Sequence, residues 1–130
     1  MTDDRRGILD TSVLLSPPSE LLPGELAIST ATLAELHFGV LITKDEEVRA
    51  ERLRRLGEIE ARFDAIPIDA AVAREYGHLS VAVTAVGRQV RSRVIDLLIA
   101  ATAVAYEATL YTRNGDDLRG IEHLLPIVVL

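Results

Sequence analysis

The chain has no cysteine. Neither a disulfide framework, nor a thiolate zinc site, nor a cysteine nucleophile is available, and nothing points to an oxidising compartment. It also lacks a long hydrophobic run: the longest, Leu97 to Tyr106, is about half of the ~20 residues a membrane-spanning helix needs, and reads as a buried core helix. The polar stretch Met1-Thr2-Asp3-Asp4-Arg5-Arg6 leads into only a few apolar residues, which is not a signal-peptide pattern. A cytoplasmic protein without a membrane role is the expectation. Positive charge is scarce as well, with a formal net charge of −6. Phosphate binding usually leaves a basic footprint, so a nucleic-acid function needs a local explanation. A cluster of metal-binding carboxylates is one, because it adds negative charge that bound divalent ions then invert.

What is present is enough apolar material for one core: 48% of 130 residues, the size of one ordinary domain spanning 1–130. Gly7-Ile8-Leu9-Asp10 and Glu25-Leu26-Ala27-Ile28-Ser29 are short apolar runs that read as buried strands delivering a polar residue at their ends. Pro17, Pro18 and Pro23-Gly24 limit any helix between them to a turn or two. Helical patterns follow over Thr30–Ile42 and Lys44–Arg62, the second with an apolar face of Leu53, Leu56, Ile59 and Phe63. Ala65-Ile66-Pro67-Ile68 reads as a strand, and Asp69 as the cap of a helix whose Val72, Tyr76, Leu79, Val83 and Val86 recur at spacings of four and three. Gly87 to Arg93 is a basic loop. Asp96 then opens a helix apolar almost all round, Thr109–Thr112 is a strand, Asn114–Asp117 a turn, and Pro126–Leu130 a last strand. Alternating strands and helices predict an α/β sandwich with a central, mainly parallel sheet and right-handed crossovers.

In such a sheet, ligands bind beyond the carboxyl ends of the strands. Asp10 closes the first strand, Glu35 lies early in the helix after the second, Asp96 begins the buried helix, and Asp116 and Asp117 follow the strand ending at Thr112. Carboxylates gathered there repel one another unless a cation lies among them. Oxygen donors without His or Cys select Mg²⁺ or Mn²⁺ over zinc. Each acid also has a structural alternative. Asp96 suits an N-cap, Thr32-x-x-Glu35 a capping box, and Asp10-Thr11-Ser12 and Asn114-Gly115-Asp116-Asp117 suit turns. Their common position at one pole of one sheet favours the site.

Ile8-Leu9-Asp10-Thr11-Ser12 resembles the opening strand motif of PIN domains. Thr30-Ala31-Thr32-Leu33-Ala34-Glu35-Leu36-His37-Phe38-Gly39 is similar to their second acidic motif, and Asp96-Leu97-Leu98-Ile99-Ala100-Ala101-Thr102-Ala103 to their third. Tyr111-Thr112-Arg113-Asn114 with Asp117-Leu118 resembles the last. In order, spacing and length the chain resembles VapC toxins. The resemblance implies a PIN-like three-layer fold that hydrolyses RNA by in-line attack of water activated by Mg²⁺ or Mn²⁺. It implies Asp10 and Asp96 as main metal ligands, with Glu35 and Asp117, or Asp116, completing the site or serving as general base. Thr11, Ser12, Thr112 and Asn114 would orient water and carboxylates. Arg88, Arg91, Arg93, Arg113 and Arg119 would grip RNA phosphates. It further implies a VapB-type antitoxin and a homodimer, for which Leu14, Leu15, Leu21, Leu22 and Val40 supply apolar surface.

Two departures matter. Asn114 stands where many PIN domains carry Asp, and Arg88-Gln89-Val90-Arg91-Ser92-Arg93 is unusually basic, which suits RNA or else a solvated loop. A receiver-type signalling domain, also small and Mg²⁺-binding, fits less well: Asp10 is followed by Thr11-Ser12 rather than by another acid, and the single lysine, Lys44, lies in a helical segment. A PIN-like module acting only as a binding partner is the other alternative, against which the intact set of acids argues.

Overall fold

Residues 4–130 are described by the computed structural model; the first three residues of the polar N-terminal stretch lie outside them. Five strands form one sheet in the order β3-β2-β1-β4-β5. They are β1 (Arg6–Leu9), β2 (Glu25–Ser29), β3 (Ala65–Ile66), β4 (Thr109–Thr112) and β5 (Ile127–Val129). Every pairing is parallel, so the sheet is wholly rather than mainly parallel. Parallel neighbours require crossovers, which the helices provide: α1 (Thr11–Leu15), α2 (Thr30–Leu41), α3 (Glu46–Arg62), α4 (Ala70–Ala85) and α5 (Val94–Ala105).

The two-residue period of a strand sorts the core into two faces. Ile8 and Leu110 point into one cluster with Val72, Leu79 and Val83 of α4 and Leu97, Ile99, Ala100 and Ala103 of α5. Their neighbours Leu9 and Tyr111 point into the other, with Val13 and Leu14 of α1 and Ile59 of α3. The result is three layers. Gly7 lets β1 approach β4, since a Cβ there would stand 2.7 Å from the Tyr111 ring.

Several boundaries differ from the sequence reading, each for a local reason. The third strand stops at Ile66 because Pro67 has no N–H to give a ladder. The second long helix starts at Glu46, capped by Asp45 through the Val48 amide, rather than at Lys44. The helix after β2 ends at Leu41 with Ile42 as its cap. The last strand is Ile127–Val129. The Asn114–Asp117 turn is a 3-10 turn at Gly115–Leu118, and the basic loop ends in another, Arg91–Arg93. The stripe on α3 is narrower than expected, with Leu56 and Ile59 buried but Leu53 exposed; Val86, the cap just past α4, is exposed too. Leu14 and Val40, expected at a surface, belong to the core, whereas Leu15 and Leu21 are exposed.

Candidate active site

The strand order reverses direction between β1 and β4, leaving a crevice at their carboxyl ends. Asp10 stands there, one residue past β1. Its amide donates to the Tyr111 carbonyl of β4 at 2.9 Å, extending the ladder to the rim. Its carboxylate is held from two sides: Oδ2 accepts from Thr112 Oγ1 at 2.6 Å and Oδ1 from the Ser12 amide at 3.3 Å. The second bond makes Asp10 the N-cap of α1. Thr112 Oγ1 in turn accepts from the Asn114 amide at 3.0 Å, and Ser12 Oγ from the Arg113 amide at 3.0 Å. The loops after β1 and β4 are thereby tied across the crevice, and the Asn114 contribution shown is its backbone rather than its side chain.

Glu35 does not form the capping box. α2 begins at Thr30 and is capped by Ser29, whose Oγ accepts from the Ala31 amide at 3.0 Å. Thr32 therefore lies inside the helix and Glu35 is free to face α1, where Thr11 Oγ1 donates to its Oε1 at 2.6 Å. The fully buried Thr32 places its Oγ1 3.3 Å from Thr11 Oγ1 and supports that pair. Thr32 was not singled out from the sequence as a site residue, because its pattern read as a cap.

Asp96 is not an N-cap either. α5 starts at Val94, with Arg93 at the cap position making no side-chain capping bond. Asp96 thus sits in the first helical turn, where the positive end of the helix favours an anion. Burial nevertheless pushes its carboxyl up to about 6, helped by the charges of Asp10, Asp117 and Glu35 and opposed by Arg93. Carboxylates from four segments are therefore electrostatic neighbours. Of the acid pair after β4, Asp117 is the one acting on Asp96, and Arg93 lies 3.4 Å from its Oδ1. Asp116 is 94% exposed and pairs with Arg119.

The donor set is carboxylate and hydroxyl oxygen without His or Cys, which fits a hard divalent cation in kind. As the side chains stand, no three acids or histidines among the described residues are gathered tightly enough to hold one. Asp10 is held by Thr112, Glu35 by Thr11 and Asp117 by Arg93.

The basic residues divide. Arg88 donates to the carbonyls of Asp116 and Arg119, and Arg113 to that of Ser16, so both brace loops. Arg93 is turned into the acidic crevice. Arg91 and Arg119 are exposed. Arg52 and Arg55, not named from the sequence, line a groove of about 460 Å³ that opens from Thr11 and Glu35 along α3. Their i, i+3 spacing on a highly charged helix looked like ordinary solvated surface.

Residues 8–124 match the PIN domain family. The chain belongs to the PIN-domain family. It is 35% identical to the protein named Ribonuclease VapC5 of Mycobacterium tuberculosis over 121 residues, 88% of this chain and 87% of that one. With Ribonuclease VapC2 of Rickettsia felis it shares 33% identity over 100 residues, covering 77% of this chain and 71% of that one. Among solved structures, a toxin–antitoxin complex, VapBC-5 from M. tuberculosis, contains a chain that superposes with a TM-score of 0.82 at 32% identity, covering 96% of this chain and 97% of that one. VapBC2 from R. felis, solved with a promoter DNA fragment, gives 0.75 at 27%, covering 96% and 98%. The three-layer PIN fold read from the motifs is thus the fold of the chain, and the receiver reading falls. No helix among the described residues is long and apolar enough to cross a membrane.

Proposed function

We infer that the chain, as a single PIN domain over 1–130, is a Mg²⁺- or Mn²⁺-dependent endoribonuclease and the toxin half of a VapBC-type toxin–antitoxin pair acting in the cytoplasm. The observation carrying this is the convergence of Asp10, Glu35, Asp96 and Asp117, from four separate segments, on the switch point of the sheet, in a chain similar to proteins named ribonuclease VapC. Asp10 and Asp96 are assigned as the direct metal ligands, with Glu35 and Asp117 completing the set. Asp96 gains most from a cation, because burial and like charges now hold its carboxyl up at about 6.

A divalent ion bound here supplies positive charge at the phosphate and makes water easier to deprotonate. The protein does the rest. Glu35 or Asp117 would take the proton of the attacking water, whose oxygen bonds to phosphorus as the bond to the leaving oxygen breaks on the opposite side and that oxygen takes a proton from solvent. Thr11 and Thr112, already donating to Glu35 and Asp10, keep those carboxylates aimed. Arg91 and Arg119, both exposed, are assigned to flanking phosphates.

The partners proposed are RNA, a VapB-type antitoxin covering the acidic crevice, and a second copy of the chain. The solved relatives VapBC-5 and VapBC2 are toxin–antitoxin complexes. Phe38, Leu41 and Ile42 leave the end of α2 apolar and exposed, at 65%, 77% and 59%, as expected of a surface that is covered in an assembly.

The test is cleavage of single-stranded RNA. Mg²⁺ should support it, excess EDTA should abolish it, and restored Mg²⁺ should recover it; cleavage that persists unchanged in EDTA would sink the metal-dependent reading. Thr112→Val is expected to lower kcat/KM by roughly 10- to 100-fold, since it removes the hydroxyl aiming Asp10 while keeping the shape. An unchanged rate would deny Thr112 that role.

A further inference from the structure

Among the arginines near the crevice, Arg93 is held differently. Arg119 makes its ion pair with Asp116 at 65% and 94% exposure, where such pairs contribute little. Arg93 is 19% exposed. Its Nη1 donates to the Asp117 carbonyl at 3.3 Å and to Asp117 Oδ1 at 3.4 Å, both long contacts. Its buried Nε has no hydrogen-bond partner. Burying a guanidinium with an unmade bond costs free energy, and two long bonds to Asp117 offset little of that. The remaining compensation available is Coulombic, from the acids that surround it. Arg93 stands three residues before Asp96, and its charge opposes what Asp10, Asp117 and Glu35 do there.

We propose that Arg93 is a resident cation of the acidic site: it positions Asp117 and carries part of the positive charge that the converging carboxylates need, a share a bound divalent ion takes over. This rests on the reading of those acids as a metal site. Two consequences follow from the signs. Without metal, Arg93 stabilises the fold by offsetting repulsion among the acids. With metal, it repels the incoming ion and competes with it for Asp117, so the affinity of the site is held below what its acids alone would give.

The test uses the whole protein and two substitutions, Arg93→Met, which keeps length without charge, and Arg93→Lys, which keeps charge without the planar fork. In EDTA, Arg93→Met should melt roughly 5 °C below the parent and Arg93→Lys within about 2 °C of it. In saturating Mg²⁺ the Arg93→Met deficit should close; a variant that folds only with Mg²⁺ is the extreme form of the same result. Mn²⁺ binding, followed by the loss of the free-ion paramagnetic resonance signal, should be about tenfold tighter in Arg93→Met. Equal destabilisation with and without Mg²⁺, Arg93→Lys melting as low as Arg93→Met, or Mn²⁺ affinity that is unchanged or weaker would each reduce Arg93 to a packing residue and overturn the proposal. A parent protein that binds no Mn²⁺ would overturn the metal reading of the site and this inference with it. Normal binding in the parent with any of the three contrary results overturns this inference alone.

Discussion

Asp96→Asn is expected to lower RNA cleavage by roughly a thousandfold or more while raising the melting temperature of the metal-free protein. Activity falls because the amide keeps the shape and one acceptor oxygen but removes the anionic charge that holds Mg²⁺ against its own hydration. Stability rises because the folded carboxyl is held at about 6, above its ordinary 3.8, by burial and by the charges of Asp10, Asp117 and Glu35. A raised pKa means that folding favours the protonated form. The contribution of Asp96 to stability is complete below about pH 4, is lost as pH rises through about 6, and at neutral pH the residue is ionised at a cost. Asparagine removes that cost, worth about 1 kcal/mol once the shift is discounted for a half-exposed group, or roughly 3–5 °C in Tm for a chain of this size. Calorimetry in EDTA at pH 7 measures one half and an RNA cleavage assay the other. In saturating Mg²⁺ the order should reverse, because the parent alone gains the binding energy of the ion. Cleavage within a few-fold of the parent would remove Asp96 from the site. A lower metal-free Tm would show that its local contacts outweigh the repulsion.

The second large effect lies one residue further along the same helix. Leu97 is fully buried in the cluster joining α5 to α4 and the sheet, so Leu97→Ala should cost about 3 kcal/mol from lost burial and the cavity left behind, close to 10 °C in Tm. Urea unfolding should show the midpoint falling with an unchanged slope. Since Asp96 is aimed by the backbone of the first helical turn, the rate below the melting transition should fall less than tenfold. A loss under 1 kcal/mol would mean that α5 is less central than its burial implies, and a rate loss as large as that of Asp96→Asn would mean that packing beneath the helix sets the carboxylate's position.

The two predictions differ in how far they were foreseeable. That α5 is central could be read from Leu97 to Ala105, because a helix apolar on all sides has nowhere to go but the interior. The α4 stripe and its Asp69 cap were equally plain, since a cap is satisfied within three residues of chain: the Asp69 carboxylate accepts from the Val72 amide at 3.0 Å. The same local rules misled at the site. Thr32-x-x-Glu35 has the form of a capping box, yet Ser29 takes the cap three residues earlier because it ends a strand whose register is set elsewhere, and that releases Glu35 toward Thr11.

By itself, then, the order of residues determined the alternation of strands and helices, the buried runs, and the candidate acids at strand ends, all of which follow from periodicity and from groups a few residues apart. The tertiary structure decided which partner each charged side chain meets. Asp117 rather than Asp116 faces Asp96, Arg93 turns inward while Arg91 stays in solvent, and Thr112 reaches Asp10 across a separation of 102 residues. Neighbouring acids and arginines of the same type differ only in the direction of their side chains. That direction is set by how the 3-10 turn after β4 packs against α5, a contact between distant segments that no local pattern encodes.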